Sequence, residues 1–360
     1  MSAEDPLSCV RERIDAIDLE ILRLISERAA CAKQVADIKS ANGDTQYYRP
    51  EREAAVLRRI KEQNPGPLGD EEIARLFREI MSACLALEQP LEIAFLGPAG
   101  TFTQAAALKH FGHSVHTRSL GSIPDVFREV ESGSCQYGVV PVENSTEGVI
   151  SHTLDMFMRS PLHICGEVML RIQHHLLGQD AERASPSLVY SHQQSLAQCR
   201  GWLDRYLPHA ERIAVGSNAE AARLAVADPD SAAIAGEAAA EIYGLAFLAR
   251  NIEDEPGNTT RFLVIGEPQV PPSGDDKTSL LLAIPNRAGG LHRLLAPLAE
   301  FGISMSKIES RPSRRGIWDY VFFVDVEGHQ QDQQVAQALA ALRERASLYN
   351  VLGSYPRAVL

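Results

Sequence analysis

Arg28 stands where the surrounding sequence calls for a hydrophobe, and Lys39 follows eleven residues later. On a helix that interval is close to three turns, so both cations face one way, about 16 Å apart. Arg11, Arg52, Glu53 and Glu88 also fall near the inward faces of their helices. Long cationic side chains can snorkel from a buried stem, and unpaired buried charge is costly. Several charges lining one helical core are better explained by a dianionic ligand.

A second set of reactive groups collects at three strand ends. Gly138 to Gly148 carries Glu143, Asn144 and Ser145; Tyr190 to Cys199 carries Ser191, Gln194 and Gln198; Asn258 to Phe262 carries Thr260 and Arg261. Any one of these could be an ordinary cap or loop. Together they predict one cleft between two lobes, because α/β folds bind ligands at such ends. Gly97-Pro98-Ala99-Gly100 is a strand-to-helix turn whose free N–H groups could meet an anion. It lacks the G-x-G-x-x-G fingerprint of dinucleotide binding.

Other reactive types carry less. His110, His113 and His116 are evenly spaced, but Gly112 and the loop setting argue against a metal site. His174 and His175 are adjacent in a strand and would face opposite ways. Cys199 beside His192 reads as a buried thiol rather than a nucleophile.

Three kinds of element must position these groups. Residues 7–40 place Leu7, Val10, Ile14, Ile17, Ile21, Leu24, Cys31, Val35 and Ile38 at alternating intervals of three and four. That is one amphipathic helix of roughly 50 Å, too long for a compact domain of this size. Two shorter helices follow, after Pro50 and from Asp70 to Glu88. One overlong member among three predicts an intertwined dimer. After Pro90 strands and helices alternate, as in an α/β domain. Gln269 to Asp276 reads as a linker, and the order βαββαβ beyond it predicts a ferredoxin-like domain. The boundaries are 1–90, 91–270 and 277–360.

Bulk properties narrow the function. A net charge of −12 disfavours a nucleic-acid partner, and no run of ~18 apolar residues offers a membrane span. The start, Met1 to Pro6, is acidic and lacks a signal-peptide core. Six scattered cysteines without a C-x-x-C pair fit reduced thiols and a cytoplasmic location.

Val10-Arg11-Glu12-Arg13-Ile14-Asp15, Ser26-Glu27-Arg28, Lys39 and Tyr48-Arg49-Pro50-Glu51-Arg52-Glu53 resemble the all-helical chorismate mutases fused to prephenate dehydratases. The resemblance implies that Arg28, and Arg11 from a partner subunit, clamp the carboxylates of chorismate. It implies Lys39 at the ether oxygen, with Arg52 and Glu53 at the ring and hydroxyl. Two positions of the third helix depart from some relatives: Glu88 replaces a glutamine and Cys84 a serine. Glu88 could donate to the ether oxygen only when protonated, which predicts a pKa raised by burial. Arg49 replaces an acid found in some relatives.

Residues 92–266 resemble prephenate dehydratase, with Thr260-Arg261-Phe262 as the hallmark. That implies two α/β lobes, like a periplasmic binding protein, and Thr260 at the leaving hydroxyl. Arg261 would hold a carboxylate or be paired structurally. Glu143 is the nearby carboxyl that could supply a proton, with the donor itself left open, and Asn144, Ser145, Ser191, Gln194 and Gln198 offer the neutral hydrogen bonds. Asn286-Arg287-Ala288-Gly289-Gly290-Leu291 and Glu309-Ser310-Arg311-Pro312 resemble the ligand elements of an ACT regulatory domain. The implied whole is a cofactor-free, metal-free homodimer or higher even oligomer, inhibited by phenylalanine. An arogenate-preferring dehydratase and a non-catalytic sensor of aromatic metabolites are the rival readings.

Overall fold

The computed structural model describes residues 6–43, 46–181, 185–312 and 320–360; the acidic start, apart from Pro6, lies outside them. Helix α1 (Pro6–Ala41) runs 36 residues, about 54 Å. None of its residues is buried, and Leu7, Val10, Ile14, Ile17, Ile21, Leu24, Val35 and Ile38 are all exposed. Its C-terminal half meets α3 (Asp70–Glu88), against which α2 (Pro50–Glu62) also packs. Pro50 occupies the first turn of α2, where its fixed φ suits the helix and its missing N–H costs nothing. No helix among the described residues is long and apolar enough to cross a membrane.

The first α/β lobe holds β1 (Glu92–Leu96), α4 (Phe102–Phe111), β2 (His116–Leu120), α5 (Ile123–Glu131), β3 (Tyr137–Asn144), β4 (Gly148–Val149), α6 (Ser151–Phe157) and β5 (His163–Arg171). The chain then crosses to a second lobe: β6 (His175–Gly178), β7 (Leu188–His192), α7 (Gln193–Gln198), α8 (Arg200–Tyr206), β8 (Glu211–Val215), α9 (Asn218–Ala227), β9 (Ser231–Ala235), α10 (Glu237–Tyr243) and β10 (Ala246–Ala249). It returns to the first lobe as β11 (Thr259–Gly266). The sheets order as β2-β1-β3-β11-β5, with β4 beside β3, and as β10-β6-β9-β7-β8. Because β11 enters antiparallel between β3 and β5, Thr260 pairs with Asn144 and Arg261 with Glu143.

The last domain is β12 (Asp276–Ala283), α11 (Gly290–Glu300), β13 (Met305–Pro312), β14 (Tyr320–Glu327), α12 (Gln333–Arg345) and β15 (Leu348–Pro356), ordered β13-β14-β12-β15. Leu280 and Leu282 face the helices with Leu294, Leu298 and Leu339. Leu281, Phe323, Leu352 and Tyr355 face the first lobe and join its core beside Val142, Phe157 and Leu263. Burial on both faces explains the unbroken leucine run in β12. The linker is shorter than its composition suggests: buried Asp276 opens β12 and accepts from the Ser273 and Gly274 N–H groups. The helical segment is docked as well. Tyr48, ahead of α2, is buried against Phe111 and Tyr137, with its hydroxyl 3.0 Å from His110 Nε2.

Candidate active sites

Positions 28, 32, 35 and 39 share one face of α1, and that face forms a wall of a cleft of about 620 Å³. Arg28, Lys39, Arg49, Arg52, Glu53, Cys84 and Glu88 line it. Lys39 Nζ donates to the carbonyls of Tyr47 at 3.1 Å and Gln46 at 3.3 Å, which leaves one of its three donors for a ligand. Glu88 Oε2 lies 4.0 Å from Lys39 Nζ and is buried without a hydrogen-bond partner. Burial pushes the Glu88 pKa up, against the opposing pull of Lys39 and Arg28. Burial also raises Glu53, opposed by Arg78 and Arg28. Arg78 Nε sits 3.2 Å from Glu53 Oε1, and its Nη1 donates to the Lys109 carbonyl of the next domain at 2.8 Å. Arg78 escaped the sequence reading, although Ala74, Arg78 and Ser82 mark one inward face of α3. Arg11 is exposed and stands about 25 Å along α1 from Arg28, outside this cleft.

The second cleft, about 660 Å³, lies between the two α/β lobes. Asn144, Gln194, Gln198, Thr260 and Phe262 line it, together with Glu147, His152, His174, His192 and Asn258. No lysine or arginine is among its described lining residues. Asn144 Nδ2 donates to Thr260 Oγ1 and to Asn258 Oδ1, both at 2.8 Å. Its Oδ1 accepts from Thr146 and Glu147 N–H groups, which fixes the amide. Thr260 Oγ1 therefore accepts from Asn144 and keeps its own hydrogen for a group in the cleft. Asn258 is buried and passes the network on, its Nδ2 donating to Gln198 Oε1 at 3.1 Å. Gln198 Nε2 donates to Glu147 Oε1 at 2.9 Å, and Gln194 Nε2 donates to Oε2. Glu147 thus bridges the lobes. Since Gln198 Oε1 accepts, His174 Nε2, 2.8 Å away, carries hydrogen. Burial lowers the His174 pKa, so the ring is the neutral tautomer, and its buried Nδ1 has no partner.

Several expected site residues point elsewhere. Successive strand residues face opposite sides of a sheet, so with Asn144 and Thr260 at the cleft, Glu143 and Arg261 face the last domain. Glu143 Oε2 takes Lys307 Nζ at 2.7 Å. Arg261 is enclosed: Nε reaches Glu167 at 2.8 Å, Nη1 reaches Asp325 at 2.6 Å, and Nη2 reaches the Tyr355 hydroxyl at 3.0 Å. It holds two domains together and has no carboxylate-binding face in the cleft. The cleft's carboxyl is Glu147, not Glu143. Ser191 is fully buried, its hydroxyl 2.8 Å from the Ile234 carbonyl and 3.0 Å from Asn218 Oδ1, both able to accept its one hydrogen. Ser145 Oγ accepts the Thr259 N–H at 2.9 Å and latches β3 to β11. In the glycine-rich turn, Gly100 N–H is taken by Gln104 Oε1. Gly100 has φ +86°, and a side chain there would press on Ala239 across the lobe boundary, 3.2 Å away; the turn serves lobe packing.

The remaining candidates separate. His110 bonds Tyr48, His113 bonds Glu79 and His116 bonds Glu92. Burial pushes the Cys199 thiol up, away from nucleophilic character. In the last domain Arg311, Val321 and Ala283 share one register row, so Glu309–Pro312 and the loop with Asn286, Gly289, Gly290 and Leu291 occupy one end of the sheet. Gly289 takes φ +72° as the cap of α11, and Gly290 N–H is taken by the Arg287 carbonyl. Leu291, Ser310 and Pro312 are exposed. Arg311 turns the other way, toward Ser151 and Asp155 of α6.

Three family models match successive parts of the chain. The sequence model of type II chorismate mutase matches residues 10–89, that of prephenate dehydratase residues 93–270, and that of the ACT domain residues 278–344. A Stutzerimonas stutzeri protein named bifunctional chorismate mutase/prephenate dehydratase is 56% identical over 100% of both chains. Its Neisseria gonorrhoeae namesake is 57% identical over 97% of each. The crystal structure of an Arthrobacter aurescens prephenate dehydratase in complex with L-Phe is 34% identical, with TM-score 0.69, covering 74% of this chain and 90% of that one.

Proposed function

The chain belongs to the bifunctional chorismate mutase/prephenate dehydratase family, and on that premise we propose which side chains carry each step. The mutase step is a pericyclic rearrangement that needs no nucleophile. Catalysis amounts to holding the reactive diaxial conformer of chorismate and stabilising charge on the breaking ether oxygen. Arg28 takes one carboxylate, and Lys39 spends its free donor on the ether oxygen. Protonated Glu88, whose Oε2 has no protein partner, supplies a second donor there. Arg52 and Glu53 border the ring and hydroxyl. The second carboxylate meets Arg11 of another copy of the chain, since the exposed apolar stripe of α1 needs a matching stripe to cover it.

In the dehydratase step prephenate loses its ring hydroxyl and a carboxylate as CO2, and the ring becomes aromatic. A threonine hydroxyl is a poor acid, so Thr260 acts as a donor aimed at the departing oxygen, with Asn144 setting its direction. Gln194, Gln198 and Glu147 close the lobes over the substrate, and Phe262 packs beside it. The single observation that carries this reading is the Asn144–Thr260 bond, in which the threonine of the cleft lining accepts and so keeps its own hydrogen to donate.

Phenylalanine is the inhibitor. The Arthrobacter aurescens dehydratase was crystallised with L-Phe, and here Asn286–Leu291 and Glu309–Pro312 share one end of the sheet, where β13 is an edge strand among the described residues. A second copy across that edge completes the amino-acid site, giving an even-numbered assembly. Purified protein supplied with chorismate should form phenylpyruvate, more slowly when phenylalanine is added. Prephenate accumulating without phenylpyruvate would sink the dehydratase reading; indifference to phenylalanine would sink the regulatory one.

A further inference from the structure

One stretch of chain, from Glu143 to Asp155, supplies much of the dehydratase cleft. It contributes Asn144, Glu147 and the turn through Ile150 to His152. Its two ends are gripped from outside by a single strand of the regulatory domain. Lys307 Nζ lies 2.7 Å from Glu143 Oε2. Arg311 Nη2 lies 2.9 Å from Asp155 Oδ1, and Nη1 donates to Ser151 Oγ. Lys307 and Arg311 are four residues apart on β13, so both project from one face, about 13 Å apart. Both side chains are largely buried, at 13% and 18% exposed, and these ion pairs are screened less than surface ones.

We propose that Lys307 and Arg311 are positioning residues of the dehydratase reaction, bracketing the Glu143–Asp155 segment so that Asn144 and the start of α6 keep their place in the cleft. Lys307 acts through Glu143, the neighbour of Asn144, and so on the direction of the Thr260 hydroxyl. Arg311 acts through the first turn of α6, beside Ile150 and His152. Because β13 is the open edge of its sheet, anything that shifts this strand moves both grips at once. The inference rests on the assignment of Asn144 and Thr260 to the dehydratase site.

The test uses the full-length chain and both activities. Lys307→Met should lower dehydratase kcat about tenfold, within the ~10²-fold that a 1 Å misplacement can cost, while KM for prephenate moves less than about twofold. Mutase turnover of chorismate should be unchanged, and Lys307→Arg should recover most of the lost rate. Glu143→Gln should reproduce the loss, and the double variant K307M/E143Q should be no slower than either single, as coupled partners require. Unchanged dehydratase kinetics in K307M, an equal fall in both activities, or a double variant slowed by the product of the singles would each overturn the proposal. Thr260→Val separates the two levels: full dehydratase activity in that variant removes the site assignment itself, whereas unchanged K307M kinetics beside an inactive T260V removes only the positioning.

Discussion

The two clefts solve the problem of an anionic substrate by opposite means. The helical cleft is lined with charge: Arg28, Lys39, Arg49 and Arg52 beside Glu53 and Glu88. The cleft between the α/β lobes has no lysine or arginine among its described lining residues and is lined instead by amides, hydroxyls, imidazoles and the Glu147 carboxylate. The chemistry explains the contrast. A rearrangement without acid, base or nucleophile gains most from fixed charge placed where the transition state needs it. An elimination must let hydroxide and CO2 depart, and strong cations on the carboxylate would hold back the group that has to leave. Directed neutral donors suit that task.

Removing a charge from the first cleft breaks the comparison hardest. Lys39→Met should lower mutase kcat roughly 10²- to 10³-fold, the usual cost of one preorganised donor, while conversion of supplied prephenate stays within about twofold. Comparable losses in both assays would show that the clefts do not work separately. In the second cleft the buried amide of Asn258 joins Asn144 to Gln198. Asn258→Ala takes one hydrogen bond from each, at about 1–3 kcal/mol, so dehydratase turnover should drop roughly 10- to 100-fold with the mutase intact.

The comparison also predicts a difference in pH response. Glu88 must be protonated to donate, and burial raises its pKa. Mutase activity is then present below that pKa and falls as pH rises through it, about tenfold for each unit beyond. Glu88→Gln donates at every pH and should flatten the profile; an unaltered profile would exclude Glu88 from the mechanism. The smallest effect belongs to the lobe closure. Glu147→Gln should raise KM for prephenate by roughly threefold, the scale of a surface hydrogen bond, with little change in kcat.

The helical cleft was the more legible of the two. Charges on an amphipathic helix can be placed from spacing alone, and Arg28, Lys39, Arg52, Glu53 and Glu88 do meet. The length of α1 likewise announced that a single chain could not cover it, and no residue of it is buried. In the second cleft, Asn144, Thr260 and Phe262 came together as their motifs suggested, but Glu143 and Arg261 did not. Strand alternation could have separated each from its neighbour; treating a motif as a unit hid it. Asn258, Glu147 and His174 were harder to find. Their importance comes from the two crossings between lobes and from the antiparallel entry of β11, which no local pattern discloses. Arg311 was misplaced for a related reason, since the back face of the regulatory sheet packs on the dehydratase lobe.

The central claim is that two independent clefts act in succession and that the second depends on the Thr260 hydrogen. Thr260→Val keeps the shape and removes that hydrogen. Supplied with chorismate, the variant should convert it to prephenate at the parent rate and stop there, with phenylpyruvate formation reduced at least about 10²-fold. Phenylpyruvate appearing at the parent rate, or chorismate remaining unconverted, would contradict the account.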